Sequence, residues 1–167
     1  MVKREKRGSQ KGYTLIEMMI VVAIIGIISS LAPNLYKQVR KFFFLNSVRI
    51  ELQRDARNVM YIITRRLRQA QSSTMVIDQE TNQPYYSRIN FTDINGDNFS
   101  YFQSGKSFYM VDGSSRVLAE NLRYLAFALP RSDDLGIVSV SFTLEKAIYE
   151  GQTKALHMAS ERVRVMN

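Results

Sequence analysis

The stretch KGYTLIE at residues 11–17 runs directly into the apolar stretch MMIVVAIIGIISSLA at residues 18–32. From Tyr13 to Tyr36 the only formal charge is that of Glu17. A run of about 20 apolar residues is long enough to span a bilayer as a helix. A carboxylate inside such a run is unfavourable unless it finds a partner, so it marks a functional position. We therefore expect this segment to do more than anchor the chain.

The net charge of +8 is concentrated on both sides of the apolar run. Residues 1–12 hold five basic residues and one acidic residue, and residues 37–68 hold nine basic and two acidic residues. Clustered Lys and Arg beside a membrane helix favour the cytoplasmic side. Lys37, Arg40 and Lys41 oppose this orientation, but the leader is denser in charge. We expect a single-pass membrane protein with a cytoplasmic N-terminus and a C-terminal domain outside the cytoplasm.

Two simpler interpretations of the N-terminal segment explain it less well. A secretory signal peptide needs a small-x-small cleavage site, and Ser30-Leu31-Ala32 has that form, but Pro33 would follow the cut. A plain membrane anchor needs only length and apolar composition. It leaves Glu17 and Gly12 unexplained.

The motif GYTLIE at residues 12–17, followed by MIVVAIIGII at residues 19–28, resembles the processing and methylation segment of type IV prepilins. Pseudopilins of type II secretion share this segment. The resemblance implies cleavage between Gly12 and Tyr13 by a prepilin peptidase, and methylation of the new amino group of Tyr13. Tyr13 stands where phenylalanine is commoner in the family, and remains aromatic.

Removal of the leader would create a positive amino group on Tyr13, four residues before Glu17. In a filament the Glu17 carboxylate of one subunit would pair with the amino terminus of its neighbour, compensating both charges where water is scarce. Pro33 removes a backbone donor, so a kink or a local loss of helix is expected there. Gly26 allows close helix packing.

The rest of the chain predicts a helix followed by strands. Residues 34–71 contain no proline or glycine, and their apolar residues recur every three or four positions: Leu45, Val48, Leu52, Ala56, Val59, Ile63, Leu67 and Ala70. Period-two patterns predict strands over residues 85–91, 99–103, 107–111, 116–119, 122–129, 136–146 and 156–165. We expect an α+β fold in which a long helix, from about residue 13 to 71, packs on a C-terminal antiparallel β-sheet, as the pilin resemblance also implies. The predicted divisions are a leader (1–12), a membrane or filament-core helix (13–36) and a globular domain (37–167).

Shorter stretches are similar to J-type minor pseudopilins and W-type minor pilins. They are RIELQRDAR at residues 49–57, LRQA at 67–70, NGD at 95–97 and LAENL at 118–122. This similarity implies a minor subunit, acting at initiation or at the tip of a type IV pilus or a type II secretion pseudopilus. Its partners would be the prepilin peptidase, other pilin or pseudopilin subunits and an inner-membrane assembly platform.

Candidate chemical sites are few. Asp93, Asn95 and Asp97 alternate as in a calcium loop, but Asn95-Gly96 is also a hairpin-turn dipeptide, which we favour. His157, the only histidine, is expected on a partly exposed strand, and the Asp133-Asp134 pair in a solvated loop. With no phosphate-binding loop and no HExxH motif, we expect neither enzymatic activity nor a cofactor.

Two other functions remain open. One is a membrane-tethered periplasmic binding module or adhesin whose sheet holds a ligand. The other is a DNA-uptake pilin, because six arginines line the outer faces of the predicted helix: Arg49, Arg54, Arg57, Arg65, Arg66 and Arg68. Nothing in the run resembles a groove-reading motif, so nucleic-acid binding is not the expected role.

Overall fold

The computed structural model describes residues 12–148 and 153–166. These residues form one α-helix, a short 3-10 helix at Ser72–Thr74 and eight β-strands. The helix, α1, runs over Leu15–Leu67. The chain divides into two compact units, Met1–Phe43 and Phe44–Asn167. The predicted leader lies outside the described residues except for Gly12.

Helix α1 has two halves of different character. In the first unit its large apolar side chains are exposed, from Leu15 to Phe43. In the second unit one face is buried, through Val48, Leu52, Ala56, Val59, Met60, Ile63, Thr64 and Leu67. This face recurs every three or four residues, as the sequence predicts.

Five strands form the first sheet. They are β1 (Val76–Asp78), β2 (Arg88–Thr92), β3 (Asn98–Ser104), β4 (Ser107–Val111) and β5 (Ser115–Ala119), in that spatial order. Every neighbouring pair is antiparallel. Short turns join β2 to β5, and Gly96, Gly105 and Gly113 take positive φ angles of 89°, 59° and 89° there. The result is the meander that the turn residues predict.

Three strands form the second sheet in the order β6 (Leu122–Ala128), β7 (Ile137–Ile148) and β8 (Thr153–Arg164). Both pairs are antiparallel. Along β7 the residues Val138, Val140, Phe142 and Leu144 are fully buried and alternate with half-buried Ser139, Ser141 and Thr143. One face of this sheet therefore points into the core.

A single hydrophobic core joins the second half of α1 to both sheets. Its largest fully buried side chains include Tyr101, Phe108, Phe127 and Phe142. Phe108 of the first sheet meets Phe142 of the second edge-on, with ring centroids 5.8 Å apart. The backbone also joins the sheets, because Phe127 N donates to Tyr86 O at 2.8 Å. The expected α+β fold, a long helix on antiparallel sheet, is confirmed.

Four details of the prediction are wrong. The helix ends at Leu67 rather than Gln71, because the backbone of Gln69, Ala70 and Gln71 turns to pair with Thr92, Asp93 and Ile94. The predicted strand at 85–91 begins only at Arg88, because Tyr86 has a φ of 63°.

The sheets also differ from the prediction, because strand β1 was not predicted. In addition, the described strands form two sheets where one was expected.

Candidate functional site

The start of α1 is closed by its own side chains. Thr14 donates to Glu17 Oε2 from its backbone N at 2.7 Å and from its Oγ1 at 2.9 Å. In return, Glu17 N donates to Thr14 Oγ1 at 3.3 Å. This reciprocal pattern between the N-cap residue and the third helical residue is a capping box. The Glu17 carboxylate thus satisfies the backbone amide of Thr14 at the helix start.

The N-cap position of Thr14 was not predicted from the sequence. Its signal was present, because Thr-x-x-Glu before an apolar run is the sequence form of a capping box. The capping box also bears on the role of Glu17. The carboxylate has a partner inside its own chain, and a carboxylate has about four acceptor positions. It can therefore accept a further hydrogen bond from another chain while it keeps both bonds from Thr14.

Gly12 and Tyr13 lie just before the helix and are accessible. The Tyr13 side chain is 86% exposed. A Cβ atom added at Gly12 would meet no heavy atom within 4 Å, apart from its chain neighbours. Packing within the described chain therefore does not require glycine at this position. Cleavage after Gly12 and methylation of Tyr13 stay predictions.

The first half of α1 is long and apolar enough to cross a membrane, and none of the side chains in its apolar window is buried. Exposed apolar surface of this extent needs lipid or other chains to cover it. Helix α1 continues through Pro33, and the expected kink there stays a prediction. Gly26 has no heavy atom within 4 Å of an added Cβ atom, apart from its chain neighbours and the backbone of its own helix.

The calcium candidates form the turn between β2 and β3. Asp93 is only 1% exposed, and its Oδ1 accepts hydrogen bonds from Asn95 N at 2.7 Å and Asp97 N at 3.1 Å. Burial alone would raise the pKa of Asp93, but these hydrogen bonds, with that of Asn95 Nδ2, hold it below its ordinary value. The carboxylate therefore braces the hairpin, which supports the turn interpretation. Calcium binding by Asp93, Asn95 and Asp97 stays an untested prediction.

The remaining candidates occupy separate places. His157 lies on β8 and is half-buried, as expected. In the loop before β7, Asp133 accepts a bidentate pair from Arg131 at 3.0 and 2.6 Å. Asp134 Oδ1 accepts from Gly136 N at 2.9 Å. Among the described residues no group of three His, Cys, Asp or Glu side chains is placed to hold a metal ion.

The arginines of α1 and its exit do not form one uniform basic face. Arg66 is half-buried and lies over the Phe99 ring, with its Cζ atom 4.9 Å from the ring centroid. It therefore packs the end of α1 against the first sheet. Arg49, Arg54, Arg57, Arg65 and Arg68 are exposed.

Comparison with known proteins finds a match at the N-terminus. Residues 7–33 match the model of the prokaryotic N-terminal methylation motif. No curated protein and no solved structure matches the chain significantly. The matched residues contain Gly12, Tyr13, the Thr14–Glu17 capping box and most of the exposed apolar run. The chain therefore carries a prepilin-type N-terminal segment, which supports a relationship to the type IV pilin-like proteins.

Proposed function

We propose that this protein is a non-enzymatic structural subunit of a type IV pilin-like filament. One observation carries the proposal: the methylation motif at residues 7–33 overlaps the first half of α1, where all the large apolar side chains are exposed. Such a helix is soluble in a bilayer and can later be covered by the same helices of neighbouring subunits. A plain anchor would need only the first of these properties.

The proposed sequence of events begins at the membrane. The basic leader keeps the N-terminus in the cytoplasm, and the domain from Phe44 onward lies in the periplasm. A prepilin peptidase cuts between Gly12 and Tyr13, and the new Tyr13 amino group is methylated. Residues 13–36 then hold the subunit in the inner membrane until an assembly platform transfers it to the filament.

Glu17 sets the register in which neighbouring subunits align during assembly. Its carboxylate already accepts two hydrogen bonds from Thr14, and it keeps acceptor positions for the methylated amino group of an adjacent Tyr13. In the apolar interior of a filament an unpaired charge is strongly unfavourable. Subunits that are out of register would leave both the carboxylate and the amino group unpaired.

The finer assignment is a minor subunit that acts at filament initiation or at the tip. It rests on the stretches at residues 49–57, 67–70, 95–97 and 118–122 that are similar to J-type and W-type minor subunits. Of these, the stretch at 95–97 forms the β2–β3 turn, and the stretch at 118–122 joins β5 to β6. The same similarity extends to pseudopili of type II secretion and to type IV pili.

Glu17 variants test the assembly role. Glu17→Gln keeps the capping box, because glutamine can also reach the N-cap amide, but it removes the charge. Glu17→Ala removes both. We expect both variants to be processed normally and to be depleted from sheared filaments, because each lacks the charge that pairs with the amino terminus. The measurement is the amount of chain in the sheared fraction relative to the membrane fraction.

Thr14→Ala is the matched control, because it weakens the cap and leaves the carboxylate. It should remain in the filament fraction more than either Glu17 variant. Assembly of Glu17→Gln at the wild-type level would contradict charge pairing and leave capping as the role of Glu17. A wild-type chain that never enters sheared filaments would contradict the proposed function itself.

A further inference from the structure

We propose that the domain from Phe44 onward binds single-stranded nucleic acid on a surface between the end of α1 and the end of β8. We call this surface the basic groove and define it by five arginines and one tyrosine: Arg57, Tyr61, Arg65, Arg68, Arg162 and Arg164. The inference goes beyond the proposed function and does not depend on it, because it concerns a ligand of the domain and not the assembly of subunits.

One wall of the basic groove is a stripe of side chains on α1. Arg57, Tyr61, Arg65 and Arg68 are exposed, and at 3.6 residues per turn they lie within about 80° of one another around the helix axis. Arg68 still follows the helix, because its backbone N donates to Thr64 O at 3.1 Å. The stripe therefore extends about 16 Å along the axis, at 1.5 Å per residue. Charges spread over this length match a polymer better than a single phosphate group.

The other wall of the basic groove is the end of β8. Arg162 and Arg164 are two residues apart on this strand, so their side chains point to the same face of the sheet, and both are exposed. Met166 N donates to Arg68 O at 3.2 Å, which joins the end of β8 to the end of α1. Arg68 and Met166 line the depressions on both sides of this junction. The arginines of the two elements therefore belong to one continuous surface.

The domain does not compensate the five arginines with ion pairs. None of them has a carboxylate oxygen within 4.0 Å in the part of the chain that the structure describes. Arg88, by contrast, forms ion pairs with both Asp78 and Glu80. A guanidinium group without a carboxylate keeps donors in a planar fork that matches the oxygens of a phosphate. The five arginines therefore suit the backbone of a nucleic acid.

The acids around the basic groove are too few to neutralise it. Asp133 is held by Arg131 in a bidentate ion pair at 3.0 and 2.6 Å. Asp134 Oδ1 accepts from Gly136 N at 2.9 Å, and Glu161 is a single half-buried carboxylate. Five arginines thus face two carboxylates that form no ion pair among the described residues, and the groove keeps an excess of positive charge.

Tyr61 distinguishes among the polyanions that such a groove could bind. Its side chain is 65% exposed and lies on the stripe between Arg57 and Arg65, four residues from each. Its ring packs against no other ring within the described chain. An exposed aromatic ring among cations is a stacking platform for a base whose phosphates the cations bind. A duplex keeps its bases stacked inside, so the ring favours a single strand.

The sequence alone did not indicate this site. The arginines of α1 were considered as one face, without Arg162 and Arg164, and Arg66 packs over Phe99 instead of joining the groove. Phosphate contacts and base stacking do not read sequence, so they need no groove-reading motif. The absence of such a motif therefore does not argue against a single strand in the basic groove.

Oligonucleotide binding tests the proposal in the full-length chain in detergent. The probe is a fluorescently labelled single-stranded oligodeoxynucleotide of mixed sequence, about 15 nucleotides long, and fluorescence anisotropy gives its dissociation constant. The duplex of the same sequence is the second probe. We expect the affinity for the single strand to fall steeply as salt rises, because each phosphate contact releases counterions.

Removal of two arginines tests the charge of the groove. Arg162→Gln with Arg164→Gln should lower the affinity for the single strand about tenfold and reduce its salt dependence. Arg116→Gln with Arg123→Gln is the matched control, because it removes the same charge from two exposed arginines on β5 and β6 that lie outside the groove. The control should bind both probes as the wild type does.

Substitution of Tyr61 separates stacking from charge. Tyr61→Ala should lower the affinity for the single strand about tenfold and leave its salt dependence unchanged. The same variant should bind the duplex as the wild type does. Tyr61→Phe should bind the single strand almost as well as the wild type, because it keeps the ring.

Three results would overturn the proposal. The first is an absence of salt-dependent binding to the single strand. The second is an equal loss of affinity in the two arginine double variants, because net charge alone would then explain binding. The third is an unchanged affinity of Tyr61→Ala for the single strand, which would make the groove a surface for duplexes or other polyanions.

These outcomes are separate from those that test assembly. Glu17→Gln should bind the oligonucleotide as the wild type does, because Glu17 lies outside the basic groove. A chain that enters sheared filaments but binds no single strand would contradict this inference and leave the proposed function standing. A chain that binds the single strand but never enters filaments would do the reverse.

Discussion

The two halves of α1 have the same helical backbone, but their apolar side chains lie in different environments. From Leu15 to Phe43 the large apolar side chains are exposed. From Phe44 to Leu67 the apolar residues form one stripe that is buried beneath two sheets, while charged residues occupy the other sides. The apolar side chains of the first half can therefore be buried only by lipid or by other chains, whereas those of the second half are buried within their own domain.

This difference predicts which property a substitution in each half should change. In the second half, stability comes from packing that a single subunit contains, so substitutions there should act on unfolding. In the first half, a single subunit gains little from its side chains, so substitutions should act on membrane insertion and assembly. Paired variants of the same residue type separate these effects, with one member in the first half of α1 and the other in the domain that begins at Phe44.

The largest expected effect is on the core of the domain. Phe142 is fully buried and packs edge-on against Phe108. Phe142→Ala should lower the free energy of unfolding by about 3–5 kcal/mol, because it leaves a cavity. Phe43→Ala, at a side chain that is 68% exposed, should change it by less than about 0.5 kcal/mol. Thermal unfolding of the full chain in detergent measures both, and similar losses would contradict the division between the halves.

The next largest effect is on membrane retention, and here the substitution in the first half should matter more than the one in the second half. An arginine at the centre of a membrane helix raises the free energy of insertion by about 2.5–3.5 kcal/mol. Ile24→Arg should therefore lower the fraction of chain that stays in washed membranes. Ile50→Arg, at an isoleucine that is 65% exposed in the second half, should not. Ile24→Val serves as the control for substitution as such, and equal retention of Ile24→Arg and Ile50→Arg would show that the first half does not span the membrane.

The smallest effect concerns the brace at Asp93 and its dependence on pH. The pKa of Asp93 is lowered in the folded state, so its stabilising contribution is present above the unfolded pKa of about 3.9 and is lost as pH falls through the folded value. Asp93→Asn should therefore lower the melting temperature at neutral pH. Its difference from wild type should shrink only below about pH 4. Asp97→Asn, at an exposed neighbour, is the control, and a difference that does not depend on pH would contradict the assigned brace.

The parts of the fold that local pattern determines were predicted well. The buried face of α1 follows from apolar residues at helical spacing, and β7 follows from the alternation around Phe142. The motif at residues 12–17 predicted where the functional segment lies. The capping role of Thr14 was equally legible, because it depends only on the spacing of Thr14 and Glu17.

The parts set by tertiary contacts were not predictable in this way. Strand β1 has only three residues, too few for a periodic signal, and it exists because it pairs with β2. Tyr86 leaves the strand conformation where its carbonyl accepts the bond from Phe127. Arg68 lines one groove together with Arg162 and Arg164, although it lies far from them in sequence. No local pattern reports that proximity.

The central claim is that residues 1–12 are removed and that Tyr13 becomes the methylated first residue of an assembling subunit. Intact-mass measurement of the chain purified from membranes and from sheared filaments tests it most directly. The account predicts a mass that lacks residues 1–12 and carries one added methyl group, and it predicts retention of the leader in Gly12→Leu. A wild-type chain that keeps its leader, a cut after Ala32, or normal processing of Gly12→Leu would contradict it.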